Sequence, residues 1–274
     1  MSLDQAQLTA DRDELKYLVS DTAAAELARG IARWVAPYRY CNGSGRAPGA
    51  SYSCATTVYF DTEQRELYRA AISERRHVKV RAREYYDAAL ESPHLALEPR
   101  TGEPRTVWIE LKVRDGQRST KRRVCVPKGE VERWFPAAES DRRALVGAGL
   151  ADGDGAAVAT ELARLRVLLG GPLAPSCIVS YRRLSFQDDR AALRITLDHD
   201  VCAFAPRAKL WHEGEVLSRH VLGAPALEQG CCVLEIKSRG AWPAWIGELL
   251  LRFGAAPLPH GKFALASRAV HGPL

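Results

Sequence analysis

Polar and apolar residues alternate along several separate segments of the chain, which predicts β-strands with one charged and one apolar face. In the segment 77–86, Lys79, Arg81 and Arg83 occupy every second position, with apolar side chains between them. Because residues two apart in a strand lie on the same face of the sheet, this spacing places the three cations side by side. Strands are predicted by such patterns at 14–19, 53–61, 77–86, 107–114, 120–126, 178–187, 192–201, 209–213, 232–238 and within 258–270.

Helical patterns flank the predicted strands and interrupt them once. Ser20 can cap a helix over residues 22–35, and the spacing of Leu27, Ile31 and Trp34 gives that helix one apolar face. Further helices are predicted at 131–135, 140–148, 156–169 and 243–253, a short helix or turn at 62–73, and a loop at 41–51.

The number and spacing of the strands favour an α+β fold that is mainly antiparallel β. Eight or more strands with mostly short connections form a sheet large enough to curl into a barrel, with helices outside it or plugging an end. We interpret the chain as a single domain over residues 1–274, with a helical insertion at about 128–170.

The composition adds an excess of positive charge. The 274 residues carry a net charge of +6, from 39 Lys and Arg against 33 Asp and Glu. A basic protein suits an acidic partner such as phosphates, nucleic acid or anionic lipid, but composition does not choose among them.

The sequence has no pattern typical of a membrane span or a secretory signal. No run approaches 18 consecutive apolar residues, and the first residues lack a basic segment followed by an apolar one. The seven cysteines are scattered without a C-x-x-C pair, which argues against a zinc site or a disulfide framework. We therefore expect a protein of the reducing cytoplasm.

The charged strand faces repeat a Glu-x-Lys pattern at residues 14–16, 110–112 and 235–237. A solvated face is the ordinary explanation of alternating charge in an antiparallel sheet. Two features favour an enclosed face instead: it is rich in Arg and Lys but poor in Ser, Thr and Gln, and it recurs on separate strands. If the sheet closes, these faces line one interior that repels itself without a polyanion, and the fork of an Arg side chain matches phosphate oxygens.

The few carboxylates among these cations predict a divalent metal. Phosphoryl transfer uses a metal to bridge phosphate oxygens and neutralise charge, and Mg²⁺ or Mn²⁺ prefers carboxylate oxygen. A nucleic-acid groove would interleave cations with exposed aromatic residues, so we expect no nucleic-acid partner. The sequence has no Ser-His-Asp signature and no phosphate-binding Gly-rich loop, and its seven histidines have no metal-ligand spacing.

Eight short motifs, in chain order, connect the sequence with a known family. Together they resemble the polyphosphate polymerase domain of the vacuolar transporter chaperone (VTC), in the triphosphate tunnel metalloenzyme superfamily, which is CYTH-like. The motifs span nearly the whole chain, and their joint order is more specific than any one of them. They are ELKY (14–17), VYFDT (58–62), KVRAREY (79–85), ELK (110–112), YRRLSF (181–186), RITLD (194–198), VLEIK (233–237) and GKF (261–263).

The resemblance implies an eight-stranded closed β-barrel tunnel with flanking and plugging helices. It also implies transfer of the γ-phosphoryl group of ATP to a growing polyphosphate chain, with Mn²⁺ or Mg²⁺ bound at Glu235. A separately encoded membrane protein partner is compatible with it. The implied catalytic, phosphate-gripping residues are Lys16, Arg81, Arg83, Lys112, Arg183, Arg194, Lys237 and Lys262. Further substrate contacts are predicted for Lys79, Tyr59, Arg123, Glu14, Glu110 and Asp198.

Departures from the family pattern bear on the activity. Hydrolase relatives begin with Glu-x-Glu-x-Lys, whereas the first of these positions is Arg12 here, which favours the polymerase branch. Gly261 replaces the usual Ser, and the tail lacks a clear match to an earlier family lysine, which affects one phosphate contact. Two alternatives stay open: a tunnel-fold triphosphatase that hydrolyses inorganic triphosphate or nucleotides, and a non-catalytic polyphosphate-binding module.

Overall fold

Twelve strands form one antiparallel sheet in the computed structural model. The structure describes residues 13–41, 45–48, 52–87, 106–116, 118–135, 153–190, 192–212 and 216–274. The strands are β1 (Asp13–Ser20), β2 (Pro37–Cys41), β3 (Gly45–Pro48), β4 (Ser53–Asp61), β5 (Arg76–Asp87), β6 (Thr106–Asp115), β7 (Arg118–Pro127), β8 (Ala174–Asp188), β9 (Leu193–Phe204), β10 (Leu227–Glu228), β11 (Cys231–Ser238) and β12 (Ala256–Pro257).

Six α-helices and a 3₁₀ helix accompany the sheet within the described ranges. They are α1 (Asp21–Ala32), α2 (Glu66–Ser73), the 3₁₀ helix (Lys128–Trp134), α3 (Asp154–Leu169), α4 (Arg219–Leu222), α5 (Ala244–Arg252) and α6 (Lys262–His271). None of these helices is long and apolar enough to cross a lipid bilayer.

The sheet is open, which corrects the predicted closed eight-stranded barrel. Its strand order is β12-β1-β11-β9-β8-β4-β5-β6-β7, and in the described part of the chain no hydrogen-bonded pairing joins β7 to β12. β12 pairs with β1 over only two residues and ends at Pro257. A strand this short, ending in a residue without an N–H, offers little for a further ladder. The α+β, mainly antiparallel class is confirmed.

One apolar cluster lies between the outer face of the sheet and the helices α1 and α5. Ser20 caps α1 by accepting a hydrogen bond from the Ala23 N–H at 3.2 Å. Leu27 and Ile31 of α1 are buried in this cluster, as predicted from their spacing. Trp34 lies beyond the end of α1, is 62% exposed, and stacks on a tryptophan of α5 instead.

A buried polar network fixes a second region on the outer face of β4 and β5. Glu84 of β5 forms an ion pair with Lys128 of the 3₁₀ helix, and both side chains are fully buried. The Leu217 N–H donates to Glu84 at 3.0 Å, and the Thr56 hydroxyl donates to the Leu217 carbonyl at 2.6 Å. The chain around Leu217 is thereby tied to the side of the sheet opposite the predicted site.

Two predicted strands are wrong. The described part of 209–213 forms no strand, and residues 258–270 contain the helix α6 in place of a last strand. Small residues with good helix propensity follow Phe263, and burial of Phe263, Ala266 and Ser267 follows the helical repeat rather than alternation.

Other differences concern short elements. The segment predicted as loop at 41–51 contains β3, which pairs with β2. The helix predicted at 131–135 is a 3₁₀ helix that begins at Lys128. The helix predicted at 140–148 lies outside the described residues, so the predicted insertion is described only in part.

Candidate functional site

The inner, concave face of the sheet carries the charged residues that the alternation predicted. On β5 and β6, Lys79 lies opposite Lys112, and Arg81 opposite Glu110. Tyr59 of β4 is the partner of Arg81 on its other side. This register sets cations and carboxylates of adjacent strands in rows across one face, because directly opposite side chains in a pleated sheet project the same way.

Side chains from distant strands meet across this face. The Lys112 Nζ on β6 lies 3.0 Å from the Glu14 Oε2 on β1, and the Lys237 Nζ on β11 lies 3.5 Å from the same oxygen. Lys16 also forms an ion pair with Glu14. Burial and the Glu235 carboxylate oppose ionisation of Glu14, but the three ammonium groups outweigh both and lower its pKa. The sheet is therefore curved enough to enclose the face.

A second carboxylate, Glu110, is fully buried between cations. Arg81 donates to it through Nε at 2.8 Å and Nη2 at 2.7 Å, and the Lys121 Nζ lies 3.3 Å away. Burial raises the pKa of Glu110, but Arg81, Arg83 and Lys121 lower it by more, so the group is ionised at neutral pH.

A third carboxylate, Asp198 of β9, joins the sheet to helix α6. Arg183 donates hydrogen bonds to it from Nε and Nη2 at 2.5 and 2.7 Å, and the Lys262 Nζ lies 2.5 Å from it. Lys262 is the first residue of α6, so the helix carries this cation into the face. Stacking of Phe263 on Tyr59, with 4.9 Å between ring centroids, holds the start of the helix there.

The fourth carboxylate, Glu235 of β11, lies 2.5 Å from the Lys237 Nζ. Burial opposes its ionisation, but Lys237, Lys16 and Arg183 lower its pKa well below the ordinary value. Its partner on β9 is Thr196, whose buried hydroxyl has no hydrogen-bond partner in the described part of the chain.

These residues fit a divalent metal that is shared with a phosphate ligand. Glu235 and Glu14 are ionised and near each other, and Mg²⁺ commonly takes one or two carboxylates plus phosphate oxygens and water. The hydroxyl of Thr196 beside Glu235 would then have a ligand water to bond. Within the described ranges no three His, Cys, Asp or Glu side chains converge as a metal site by themselves.

Two inner cations make no ion pair with a carboxylate of the described residues. Arg83 is buried and donates to the Thr57 hydroxyl at 2.8 Å and the Tyr85 hydroxyl at 3.2 Å. Burial and the neighbouring cations Lys112, Lys16 and Arg81 lower the pKa of Lys79 to about 7. Arg83 therefore holds positive charge for an anion from solution, and Lys79 would gain its full charge beside such an anion.

The structure places every predicted site residue on or against the inner face. Most converge as described above. Arg123 lies opposite Glu110 and is 4.2 Å from the centre of the Trp108 ring, and Arg194 lies opposite Lys237 and is 6.0 Å from the centre of the Tyr38 ring.

Sequence reasoning missed three residues of this face. Lys121 precedes Arg123 by two positions in a predicted strand, so alternation alone could have found it. Tyr181 has the Arg183 and Lys262 cations 5.0 and 5.1 Å from its ring centre, a contact that only the fold creates.

The third missed residue is Trp108. Alternation places it on the face of Glu110 and Lys112, so this pattern alone could have found it. The register confirms the inner placement, because Trp108 lies opposite the inward-facing Arg83.

Comparison with known proteins gives one strong match. The family model described as "VTC domain" matches residues 11–271. No curated protein matches the sequence.

Solved structures show only distant likeness. A protein from Vibrio parahaemolyticus described as a candidate adenylate cyclase is 11% identical, with a TM-score of 0.42, over 94% of this chain and 98% of that one. One from Bacillus halodurans with the same description is 14% identical, with a TM-score of 0.44, over 91% and 95%. A protein from Pyrococcus horikoshii is 12% identical, with a TM-score of 0.41, over 93% and 97%.

Proposed function

This chain belongs to the VTC domain family, and from that premise we propose that it is a metal-dependent polyphosphate polymerase that uses ATP. The observation that carries the proposal is the imbalance of charge on the inner face. Four carboxylates, Glu14, Glu110, Asp198 and Glu235, are each bound by one or more cations. Further cations, among them Arg83 and Lys79, form no ion pair with a carboxylate of the described residues.

A chain of phosphates is the ligand that such a face favours. Repeated negative charges would neutralise cations distributed over several strands, and planar guanidinium groups such as those of Arg81 and Arg83 match phosphate oxygens in pairs. The curvature that brings Glu14 to Lys112 lets cations contact such a chain from opposite sides. Partial removal from water strengthens each of these contacts.

The reaction needs no covalent enzyme intermediate. A terminal oxygen of the acceptor polyphosphate attacks the γ-phosphorus of ATP, and the bond from that phosphorus to the β,γ-bridging oxygen breaks. The electron pair leaves with ADP, and the acceptor is one phosphate longer. The protein contributes alignment of the two anions and neutralisation of their charge, which are the main requirements of phosphoryl transfer.

Glu235, with Glu14 beside it, would hold the Mn²⁺ or Mg²⁺. The metal supplies charge neutralisation on phosphate oxygens when it is bound. Lys237 lies against both carboxylates and holds them in place, 2.5 Å from Glu235 and 3.5 Å from Glu14.

The proposal is tested by product analysis. Purified protein is incubated with ATP and Mn²⁺ or Mg²⁺, and the products are separated on a gel stained for polyphosphate while orthophosphate and ADP are assayed. We expect a polyphosphate ladder and stoichiometric ADP, both lost in Glu235→Gln and Arg81→Ala. Glu161→Gln is the matched control, because Glu161 pairs with Arg164 on the exposed side of α3, away from the inner face.

Other products would point to the alternatives. Orthophosphate without a ladder would identify a triphosphatase in the same cleft. Binding of polyphosphate in the presence of a chelator, with no turnover when metal is restored, would identify a binding module.

A further inference from the structure

Trp108 occupies an unusual place for a tryptophan. It lies on the inner face of β6, in the row that contains Arg83 on one side and Cys125 on the other. Its side chain is half-buried, and among the described residues it belongs to none of the apolar clusters of the protein. Large aromatic side chains usually bury their area in such clusters, so an indole on a cationic face needs another explanation.

The neighbours of the indole are cations. The Arg123 guanidinium lies 4.2 Å from the ring centre, and Arg83, which has no carboxylate partner in the described ranges, is the cross-strand neighbour. Two residues further along β6 is Glu110 with its partner Arg81, and four residues further is Lys112. A flat aromatic surface therefore lies at one end of a line of groups that suit phosphate.

Trp108 lies close to one edge of the described sheet. Trp108 is near the start of β6, and β6 is next to β7, the last strand of the sheet in the described part of the chain. Its neighbour on β7, Cys125, is small and exposed. The opposite end of the inner face is occupied by α6, which begins at Lys262 and ends at His271, where the ring contacts Ser176 near the start of β8.

We propose that Trp108 is the nucleobase subsite of this protein: the adenine of ATP stacks on the indole while its phosphates extend along Arg83, Arg81 and Lys112. The inference rests on the proposed function, because it assigns one end of the donor nucleotide. Bases stack on aromatic side chains regardless of sequence, and adjacent guanidinium groups add a cation–π contribution. Polyphosphate has no base, so Trp108 would recognise only the donor and set its direction on the face.

The test compares a ligand that has a nucleobase with one that has only phosphates. Binding of the β,γ-imido analogue of ATP and of inorganic tripolyphosphate, each with Mg²⁺, is measured by calorimetry for the wild type, Trp108→Leu and Trp108→Phe. We expect Trp108→Leu to weaken the ATP analogue about 5- to 150-fold and to leave tripolyphosphate within about twofold. The Phe variant should retain most of the affinity, because it keeps an aromatic face.

Trp34→Leu is the matched control, because this exposed tryptophan stacks on the outer side of the sheet and should change neither affinity. Equal weakening of both ligands in Trp108→Leu would overturn the subsite and assign Trp108 to holding Arg83 and Arg123. Unchanged binding of both would overturn it as well, and the proposed function would stand. Failure of the wild type to bind either ligand would overturn the proposed function and the subsite together.

Discussion

The Glu14 carboxylate on β1 lies 3.0 Å from the Lys112 ammonium on β6, although five other strands separate β1 from β6 in the sheet. Two side chains make this contact across the inner face. The backbones of β7 and β12, the two ends of the sheet, are not paired within the described ranges. Curvature of the sheet therefore encloses the charged face without closing the backbone ladder, and Glu14 is the group that holds cations from both sides.

Replacing Glu14 with Gln should lower the stability of the protein. In Glu14→Gln the ammonium groups of Lys16, Lys112 and Lys237 lose the charge that they share, so the free energy of unfolding should fall by about 1–3 kcal/mol. Thermal unfolding with and without tripolyphosphate measures the change, and the polyanion should restore more stability to the variant than to the wild type. Glu130→Gln, which removes an exposed ion pair with Arg133, should change stability by less than about 0.5 kcal/mol. A Glu14→Gln protein as stable as the wild type would contradict this role.

Arg81→Met and Arg83→Met should differ in their effects on stability and on tripolyphosphate affinity. Arg81→Met removes the guanidinium that donates to the buried Glu110 through two nitrogens, so stability should fall by about 3 kcal/mol, in the range for a broken buried pair. Arg83→Met removes a cation that forms no ion pair with a described carboxylate but donates to Thr57 and Tyr85, so stability should fall by only about 1 kcal/mol while tripolyphosphate affinity falls about tenfold. Urea unfolding and calorimetric titration measure the two quantities. Equal losses of stability in both variants would contradict the difference in their partners.

Lys79 should make stability and binding depend on pH. Its pKa is about 7 in the folded protein and near 10.5 in the unfolded chain, so the unfolded chain binds more protons between these values. The contribution of Lys79 to stability therefore rises from about pH 7 to about pH 10.5, and it is absent from Lys79→Met. Urea unfolding across this range measures it, with Lys209→Met, at an exposed position, as the control.

Tripolyphosphate binding at pH 8 should also take up protons, because an anion beside Lys79 favours the ammonium form. Calorimetry in two buffers with different ionisation enthalpies counts the protons. Part of the uptake should remain in Lys79→Met, since burial also lowers the pKa of Lys112, to about 8. Identical proton uptake in the wild type and Lys79→Met would contradict the prediction.

Thr196→Val should raise the stability of the protein but weaken its metal-dependent binding of tripolyphosphate. Its buried hydroxyl has no hydrogen-bond partner among the described residues, so the isosteric Thr196→Val should raise the free energy of unfolding by about 1 kcal/mol without ligand. The same change should weaken Mn²⁺-dependent binding of tripolyphosphate, because the hydroxyl lies beside Glu235. Thr57→Val is the comparison: its hydroxyl accepts from Arg83 at 2.8 Å, so its loss should lower stability. A Thr196→Val protein that is less stable than the wild type would show that the hydroxyl is already bonded.

The sequence by itself determined which residues share the inner face. Alternation has a period of two, and this local property is fixed by the pleat of each strand, so Lys79, Arg81 and Arg83 could be assigned to one side before any partner strand was known. The family was also found from the sequence, because motifs such as those at 79–85 and 233–237 occur in the expected order, and the match over residues 11–271 confirms it. The roles of these residues in catalysis stay predictions.

Only the tertiary structure decided which side chains meet. Register between strands depends on contacts between segments far apart in sequence, so neither the ion pair of Glu14 with Lys112 nor that of Lys262 with Asp198 follows from periodicity. Helix α6 replaced a predicted strand because packing of Phe263 against Tyr59 favours the helix over a weak local pattern. Sheet curvature is likewise a sum of small twists over many strands, and it determines how far the face closes and where Trp108 lies.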